Sequence, residues 1–158
     1  MYSGNSTCLF EKKKGSEDIY LRKFMKNNEK LRILAIDDEP SVLRIIQHFF
    51  KDKFEVDVQP NAEDGIKRMQ AGHLPDVIIC DLSMPDIDGL ELVKMIRSSG
   101  FFSSIPLIML SATESSEQKI KVLNAGADDF MVKPFNPKEL EARINSILRR
   151  TGKGSFTF

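Results

Sequence analysis

Residues 77–89 read VIICDLSMPDIDG, in which an uninterrupted aliphatic run stops at Asp81 and a polar loop with proline and glycine begins. Such a short run, bounded by turn-forming residues, is typical of a strand that is buried on both faces of a parallel sheet. Comparable runs are LRILAI at 31–36, FEVDV at 54–58, PLIML at 106–110 and DFMV at 129–132. The sequence therefore predicts five strands.

Segments with helical periodicity separate and follow these strands. Their apolar residues recur three and four positions apart in SVLRIIQHFFK (41–51), AEDGIKRMQ (62–70), GLELVKMIRS (89–98), SEQKIKVLNAG (116–126) and PKELEARINSILRR (137–150). Strict alternation of strands and helices predicts an α/β domain with a parallel sheet that is covered on both faces. Ligands of such sheets bind beyond the carboxyl ends of the strands.

Charged and hydroxyl side chains stand where four of these strands end. The set is Asp37 and Asp38 after the first strand, Asp81 after the third, Ser111 after the fourth and Lys133 after the fifth. Three carboxylates at one edge repel one another, and they would take up protons unless a cation lay among them. We expect Mg²⁺ there, with Mn²⁺ as a possible substitute, because Mg²⁺ prefers oxygen ligands and typically binds one or two carboxylates together with a phosphate oxygen.

This arrangement predicts phosphoryl chemistry at Asp81. With Asp38 and Asp81 as direct ligands of the metal, the uncoordinated oxygen of Asp81 becomes a nucleophile that attacks a phosphodonor and forms an acyl phosphate. Lys133 would then neutralise one phosphate oxygen, and the hydroxyl of Ser111 would donate to another. The residues therefore indicate a magnesium site beside a phosphate-accepting aspartate.

These motifs jointly resemble the receiver domains of two-component response regulators. The resemblance rests on the acidic pair after the first strand, DLSMPDIDG after the third, SA after the fourth and KPF after the fifth. It covers about residues 31–150 and implies a flavodoxin-like sheet with strand order 2-1-3-4-5. It also implies a signalling domain and not an enzyme. Asp81 would accept a phosphoryl group from a sensor histidine kinase or a histidine phosphotransfer protein, and the domain would promote its own phosphorylation and dephosphorylation.

Further residue roles follow from the same resemblance. Asp37 joins the metal shell, and Ser83 takes the position whose backbone carbonyl completes that shell. Phe130 takes the position of an aromatic switch residue, whose ring swings inward when the hydroxyl of Ser111 moves toward the phosphate. The resemblance thus implies that phosphorylation at the sheet edge changes a surface elsewhere on the domain.

That surface is implied by the likeness to receivers of winged-helix response regulators, which dimerise through their fourth helix, fifth strand and fifth helix. The expected members are Lys119, Leu123, Asp129, Glu139, Ala142, Arg143 and Ile144. Lys119 and Glu139 match one intermolecular ion pair of that subfamily, and Asp129 and Arg143 match another. Leu123, Ala142 and Ile144 are expected to form an apolar patch. Asn145 departs from the pattern, since a basic partner for Asp128 is expected there. We expect a phosphorylation-promoted homodimer or docking on a downstream protein; a solvated charged face is the alternative.

The flanking segments differ in composition from the rest of the chain. Residues 1–30 are polar and are expected to be disordered or to form one short helix around Ile19, Tyr20 and Phe24. Residues 151–158 are expected to form a flexible tail. The formal net charge is zero, which indicates no direct binding of nucleic acid by this chain. No apolar run has the length of a membrane span and no signal peptide is readable, so we expect a cytoplasmic protein without a membrane partner.

Other interpretations of the same residues stay open at this stage. An aspartyl-phosphate phosphatase usually needs a second carboxylate two positions after its nucleophile, where this chain has Ser83. A receiver-like module that is never phosphorylated would have no need of the whole set of matching residues. Asp88 is interpreted as the N-cap of the third helix and not as a metal ligand. The sequence leaves open the cognate kinase, the phosphoryl lifetime, and whether this is a stand-alone receiver or a part of a longer regulator.

Overall fold

A computed structural model describes residues 29–153 of the chain. Its strands are β1 (Arg32–Ile36), β2 (Glu55–Gln59), β3 (Val77–Asp81), β4 (Leu107–Ser111) and β5 (Asp129–Val132). Its helices are α1 (Pro40–Phe50), α2 (Ala62–Gln70), α3 (Gly89–Ser98), α4 (Ser116–Ala125) and α5 (Pro137–Arg150). Strands and helices alternate along the chain, as the sequence predicts.

The sheet is parallel throughout, in the order β2-β1-β3-β4-β5. This is the flavodoxin-like order, and the expected fold class is confirmed. β3 and β4 are buried along their whole length, whereas β2 is partly exposed at the sheet edge. The strand order reverses between β1 and β3, so a crevice lies beyond the carboxyl ends of these two strands.

Two hydrophobic clusters cover the two faces of the sheet. One cluster packs α2, α3 and α4 through residues such as Met69, Ile96 and Val122. The other packs α1 and α5 through residues such as Ile46 and Leu140. Because both faces are covered, the strand ends are the part of the sheet left open to a ligand.

Ile144 belongs to the second cluster and is completely buried, so its expected place in an exposed apolar patch was wrong. Leu140, Ile144 and Ile147 follow one another at spacings of four and three residues, which places them on one stripe of α5 that faces the sheet. Leu123 and Ala142 are exposed, as expected. The apolar patch on this side of the domain is therefore smaller than the sequence suggested.

The start of α3 brings its first turn close to the end of β3. Asp88 caps the helix: its side chain accepts a hydrogen bond from the Glu91 amide at 2.8 Å, and the Glu91 side chain accepts one from the Asp88 amide. Gly89 follows, and a Cβ atom there would lie only 2.6 Å from the carbonyl oxygen of Asp81. The predicted N-cap is confirmed, and the glycine allows the helix to approach the strand end.

Several expectations concern residues outside the described range. The short helix around Ile19, Tyr20 and Phe24 lies there, and so does most of the expected C-terminal tail. Of that tail, Thr151–Lys153 are described, and Lys153 Nζ lies 3.2 Å from a carboxylate oxygen of Asp76. Among the helices of residues 29–153, none combines the length and the apolar character needed to cross a membrane.

Candidate functional site

The parallel sheet brings the polar residues together at the carboxyl ends of its strands. Asp37 directly follows β1, Asp81 is the last residue of β3, Ser111 is the last of β4, and Lys133 directly follows β5. Adjacent strands are in register at these ends, with Asp81 beside Leu110. Side chains that are far apart in sequence therefore meet at one place.

Three carboxylates form a cluster at this edge. Asp37, Asp38 and Asp81 each offer one carboxylate oxygen, and these oxygens all lie within 4.8 Å of one another. Asp37 and Asp81 are buried, with 1% and 4% of their surface exposed, whereas Asp38 is exposed. The Glu39 amide donates to Asp37 Oδ1 at 2.9 Å, which holds the turn after β1 in place. The sequence-predicted acidic site is thus assembled, with one side open to solvent.

Lys133, which directly follows β5, forms ion pairs with several carboxylates of the site. Its Nζ lies 2.8 Å from Asp37 Oδ2, 3.2 Å from Asp81 Oδ1 and 3.2 Å from Glu39 Oε1. The Glu39 contact was missed at the sequence level, although three consecutive acidic residues at the end of β1 could have suggested it. The lysine side chain is only 10% exposed, so its charge acts within the site.

Burial and charge shift the titration of this site. Burial, and next the negative charge of Asp37, raise the pKa of Asp81 to about 6, although Lys133 acts in the opposite direction. Burial disfavours the charged form of Lys133, but the close contacts with Asp37 and Asp81 outweigh it and raise the pKa of the lysine. Lys133 therefore stays protonated, while Asp81 loses its proton at a higher pH than an ordinary aspartate does.

The donor set fits a hard divalent cation. Asp37 Oδ2 is buried and accepts no hydrogen bond within residues 29–153, and its contact with Lys133 Nζ, 2.8 Å away, is an ion pair. With all carboxyl groups ionised, Asp37, Asp38 and Asp81 carry three negative charges against the single positive charge of the lysine. Carboxylate oxygens of this kind are the ligands that Mg²⁺ and Mn²⁺ prefer. Ser83, whose carbonyl is an expected ligand, lies exposed in the loop after β3.

Ser111 and Phe130 occupy neighbouring strands next to this cluster. Ser111 is buried, and its Oγ accepts a hydrogen bond from the Thr113 amide at 3.2 Å. Phe130 is 5% exposed and packs within the cluster that includes Val122 of α4. The aromatic ring expected to act as a switch thus lies inward.

Several other titratable side chains are not members of the acidic cluster. Asp88 caps α3, and the carboxylate cluster among the described residues contains neither it nor Asp86. His48 is exposed on α1. Cys80 is completely buried in β3, and burial raises the pKa of its thiol well above the usual value, as expected of a residue that serves as core packing.

The charged residues on α4, β5 and α5 are paired mainly within the chain. Arg143 donates to both carboxylate oxygens of Asp129 at 2.8 and 2.9 Å and to Glu139 at 2.9 Å. Asp128, for which Asn145 offers no basic partner, instead accepts a bond from Arg97 at 2.8 Å. Lys119 has no ion pair among the contacts of residues 29–153.

Leu123 and Ala142, two further expected members of the partner surface, are exposed. A cavity of about 400 Å³ is lined by Lys119, Phe130, Glu139 and Arg143, among others. Lys119, Glu139 and Arg143 thus line one cavity and Asp129 contacts Arg143, while the dimer surface as a whole stays a prediction. The hydrogen bonds within that surface differ from those expected across a dimer axis.

Known proteins resemble this chain in sequence and in fold. The model of the response regulator receiver domain matches residues 33–145. The chain is 41% identical over 132 residues to the "Probable transcriptional regulator ycf27" of Guillardia theta, a match that covers 81% of this chain and 49% of that protein. It is 36% identical over 124 residues to the response regulator Rre1 of Synechocystis, with coverage of 77% of this chain and 53% of that protein.

Solved structures agree with these sequence matches. The chemotaxis protein CheY4 of Vibrio cholerae superposes with a TM-score of 0.70 at 32% identity, covering 75% of this chain and 99% of that one. The chain spans about half the length of the curated relatives it matches. Sheet order and the matched family model thus agree, and the chain belongs to the response regulator receiver domains of two-component systems.

Proposed function

We propose that this receiver domain accepts a phosphoryl group on Asp81, in a site that also binds Mg²⁺. The observation that carries the proposal is the position of Lys133, whose Nζ lies 2.8 Å from Asp37 and 3.2 Å from Asp81. From there the ammonium can bind an oxygen of a group attached to Asp81. Asp37 and Asp38 each have a carboxylate oxygen within 4.8 Å of one on Asp81, close enough for the three side chains to share one cation.

In this proposal Asp37, Asp38 and Asp81 hold the ion together with the backbone carbonyl of Ser83. When bound, Mg²⁺ supplies positive charge to a phosphoryl oxygen and allows neighbouring carboxylates to remain ionised. Asp81 must be ionised to react, because a protonated carboxyl is a poor nucleophile. Mn²⁺ suits the same oxygen ligands.

The phosphodonor that we propose is a phosphohistidine of a sensor histidine kinase or of a histidine phosphotransfer protein, since response regulators receive phosphoryl groups from histidine kinases. An Asp81 oxygen forms a bond to phosphorus while the P–N bond to the histidine breaks. The electron pair stays on the imidazole nitrogen, which takes up a proton. Lys133 offsets the charge on the phosphoryl oxygens as this happens.

The same residues would promote dephosphorylation. Water attacks the phosphorus atom, the bond between phosphorus and Asp81 breaks, and inorganic phosphate leaves. Ala112 is exposed next to Ser111, so its small side chain leaves room for the water. The domain would therefore act as a signalling element that promotes both of its own reactions, without turning over a separate substrate.

We further propose that α4, β5 and α5 form the surface that responds to phosphorylation. Ser111 and Lys133 lie at the ends of β4 and β5, and Phe130 lies on β5 and lines the cavity that Lys119 also lines. A shift of the Ser111 hydroxyl toward the phosphoryl group would alter the packing around Phe130 and thus the shape of that cavity. The expected consequence is a homodimer or a complex with a downstream protein.

A labelling experiment tests the proposed acceptor. Acetyl phosphate should add the mass of one phosphoryl group when Mg²⁺ is present and none in EDTA, and hydroxylamine should remove it. Asp81→Asn should remain unlabelled. Asp86→Asn is the matched control, because it lies in the same loop but outside the carboxylate cluster. Equal labelling of Asp81→Asn would contradict the proposal, and sustained turnover of phosphate esters would favour a phosphatase.

A further inference from the structure

The hydroxyl of Ser111 is the first member of a chain of side-chain hydrogen bonds that ends on α4. Ser111 Oγ lies 3.3 Å from Thr113 Oγ1, and Thr113 Oγ1 donates to Gln118 Oε1 at 2.7 Å. The Thr113 amide also donates to Ser111 Oγ at 3.2 Å. The chain therefore runs from the strand end at the phosphoryl site, through the loop after β4, to the first turn of α4.

The direction of this chain follows from the number of protons available. A hydroxyl group has a single proton, and a carboxamide oxygen can only accept. Thr113 gives its proton to Gln118, so in the contact between the two hydroxyls Ser111 must be the donor and Thr113 the acceptor. The one proton that Ser111 could offer to a phosphoryl oxygen is thus already directed toward Thr113.

The position of Gln118 is fixed by the start of α4. The backbone amide of Gln118 donates a hydrogen bond to the hydroxyl of Ser115, the N-cap residue of α4, at 3.4 Å. Its side chain lines a cavity of about 580 Å³ together with Leu82 and Ser83. The backbone cap fixes where the carboxamide begins, and the cavity leaves room for that carboxamide to rearrange without displacing the core.

We propose that Gln118 is a positioning residue that, by accepting the Thr113 proton, keeps the Ser111 hydroxyl turned away from the phosphoryl group until the domain is activated. This inference rests on the proposed function of Asp81. Activation then requires Ser111 to exchange its bond to Thr113 for one to a phosphoryl oxygen. Without Gln118, Thr113 can donate to Ser111 instead, and the proton of Ser111 becomes available to the phosphoryl group.

Loss of the Gln118 carboxamide should favour activation, whereas loss of a contact that supports the activated state would hinder it. Removing the carboxamide should make the activated state easier to reach, because one bond of the resting arrangement is lost and none of the activated arrangement. A net hydrogen bond of this kind corresponds to a roughly five-fold change in an equilibrium constant. The effects of substituting Gln118 and Thr113 should not be additive, because each residue influences Ser111 only through the hydrogen bond between them.

A titration with beryllofluoride, a mimic of the bound phosphoryl group, tests this inference. Binding would be measured at saturating Mg²⁺ by following the amide resonances of α4. We expect Gln118→Met to bind beryllofluoride about five-fold more tightly than the wild type. Thr113→Val should bind more tightly by a similar factor, whereas Thr113→Ser, which keeps the hydroxyl, should match the wild type. The double variant Thr113→Val with Gln118→Met should bind no more tightly than either single variant.

The possible outcomes separate this inference from the proposed function. If the wild type responds to beryllofluoride but Gln118→Met and Thr113→Val bind it equally well or more weakly, the inference is overturned while the phosphoryl site stands. Additive gains in the double variant would also overturn it, because they would show independent effects. A wild type that shows no Mg²⁺-dependent response would overturn the proposed function and this inference together.

Discussion

The ammonium group of Lys133 lies 3.2 Å from Oδ1 of Asp81, and both side chains are almost completely withdrawn from solvent. Even so, burial and the charge of Asp37 hold the pKa of Asp81 at about 6, above its ordinary range. Burial and the charge of Asp37 together therefore outweigh the positive charge of the single lysine. A second cation within the cluster would lower the pKa of Asp81 again.

The pH dependence of stability should reveal this shortfall of positive charge. The folded protein binds the Asp81 proton more tightly than the unfolded chain does. The stability that the protonated carboxyl contributes is therefore present at low pH and lost as the pH rises from the ordinary value of about 4 to the folded value of about 6. In EDTA, the free energy of unfolding of the wild type should fall by about 1 kcal/mol relative to Asp81→Asn between about pH 5 and pH 7.5. Urea unfolding measures both proteins.

Mg²⁺ provides the control for that measurement. The ion would stabilise the ionised carboxylates, so it should restore wild-type stability at about pH 7.5 and have a smaller effect on Asp81→Asn. Parallel pH profiles for the two proteins in EDTA would show that Asp81 titrates in its ordinary range, and would contradict the account of the site's charge.

Gly89 should be required for the approach of α3 to the end of β3. A Cβ atom at this position would lie 2.6 Å from the Asp81 carbonyl oxygen and 2.8 Å from Leu82 Cα, and neither backbone atom can move aside easily. We expect Gly89→Ala to lower the free energy of unfolding by about 2 kcal/mol. Gly100→Ala is the matched control, because a Cβ there meets no atom within 4 Å. Equal stabilities of the two variants in urea would contradict this packing argument.

The strand ends and their polar residues could be predicted from the sequence because two simple rules fix them. A buried parallel strand reads as an apolar run, and its carboxyl end is the place where polar residues resume. Parallel pairing of the strands then brings Asp37, Asp81 and Lys133 to the same end of the sheet, whatever their separation in sequence. The hydrogen bonds that link Ser111, Thr113 and Gln118 could not be predicted this way, since side-chain rotamers leave no periodic signal.

The partner surface could be predicted only in part, because the contacts of its side chains depend on how α5 packs. Ile144 was misplaced because its role was taken from the likeness to winged-helix response regulators, although the spacing of Leu140, Ile144 and Ile147 already indicates a stripe of α5 that packs against the sheet. Arg143 has an acidic neighbour four residues earlier on its own helix and another on β5. Which carboxylate an arginine contacts depends on how helix and strand pack, and residue spacing alone does not settle it.

The switch should respond to a phosphoryl mimic through Ser111. With Mg²⁺ and beryllofluoride, we expect the amide resonances of residues 111–114, α4 and Phe130 to shift, because the mimic draws the hydroxyl out of its resting contacts. Ser111→Ala should lose most of the shifts on α4, whereas Ser111→Thr, which keeps a hydroxyl, should retain them. Shifts that stay confined to the loops at Asp37 and Asp81 would show that no switch of this type operates.

Self-association is expected to increase on activation. We predict that beryllofluoride strengthens homodimerisation by about ten-fold, or about 1.4 kcal/mol, as measured by sedimentation. Because Arg143 already contacts Asp129 and Glu139 within one chain, exchanging its charge with that of Asp129 would not distinguish a contact within the chain from one across the dimer. Lys119 is the better probe, since it lacks an ion pair among the contacts of residues 29–153.

A mixture of two charge-reversed chains distinguishes these cases. Lys119→Glu alone and Glu139→Lys alone should each remain monomeric when activated, since like charges would then face each other across the two-fold axis. An equimolar mixture should form a heterodimer in which both facing pairs are again of opposite charge. If the mixture stays monomeric while the wild type dimerises, Lys119 and Glu139 do not face each other across the dimer interface. A wild type that stays monomeric would favour docking on a different protein.

The identity of the phosphorylated residue is the most direct test of the account. After treatment with acetyl phosphate and Mg²⁺, borohydride reduces an aspartyl phosphate to homoserine, and peptide mass spectrometry then locates the changed residue. We predict homoserine at position 81 and at no other aspartate, and no conversion in EDTA. Conversion at Asp37, Asp38 or Asp86 in place of Asp81, or a phosphoryl group that resists borohydride on another kind of side chain, would contradict the central claim.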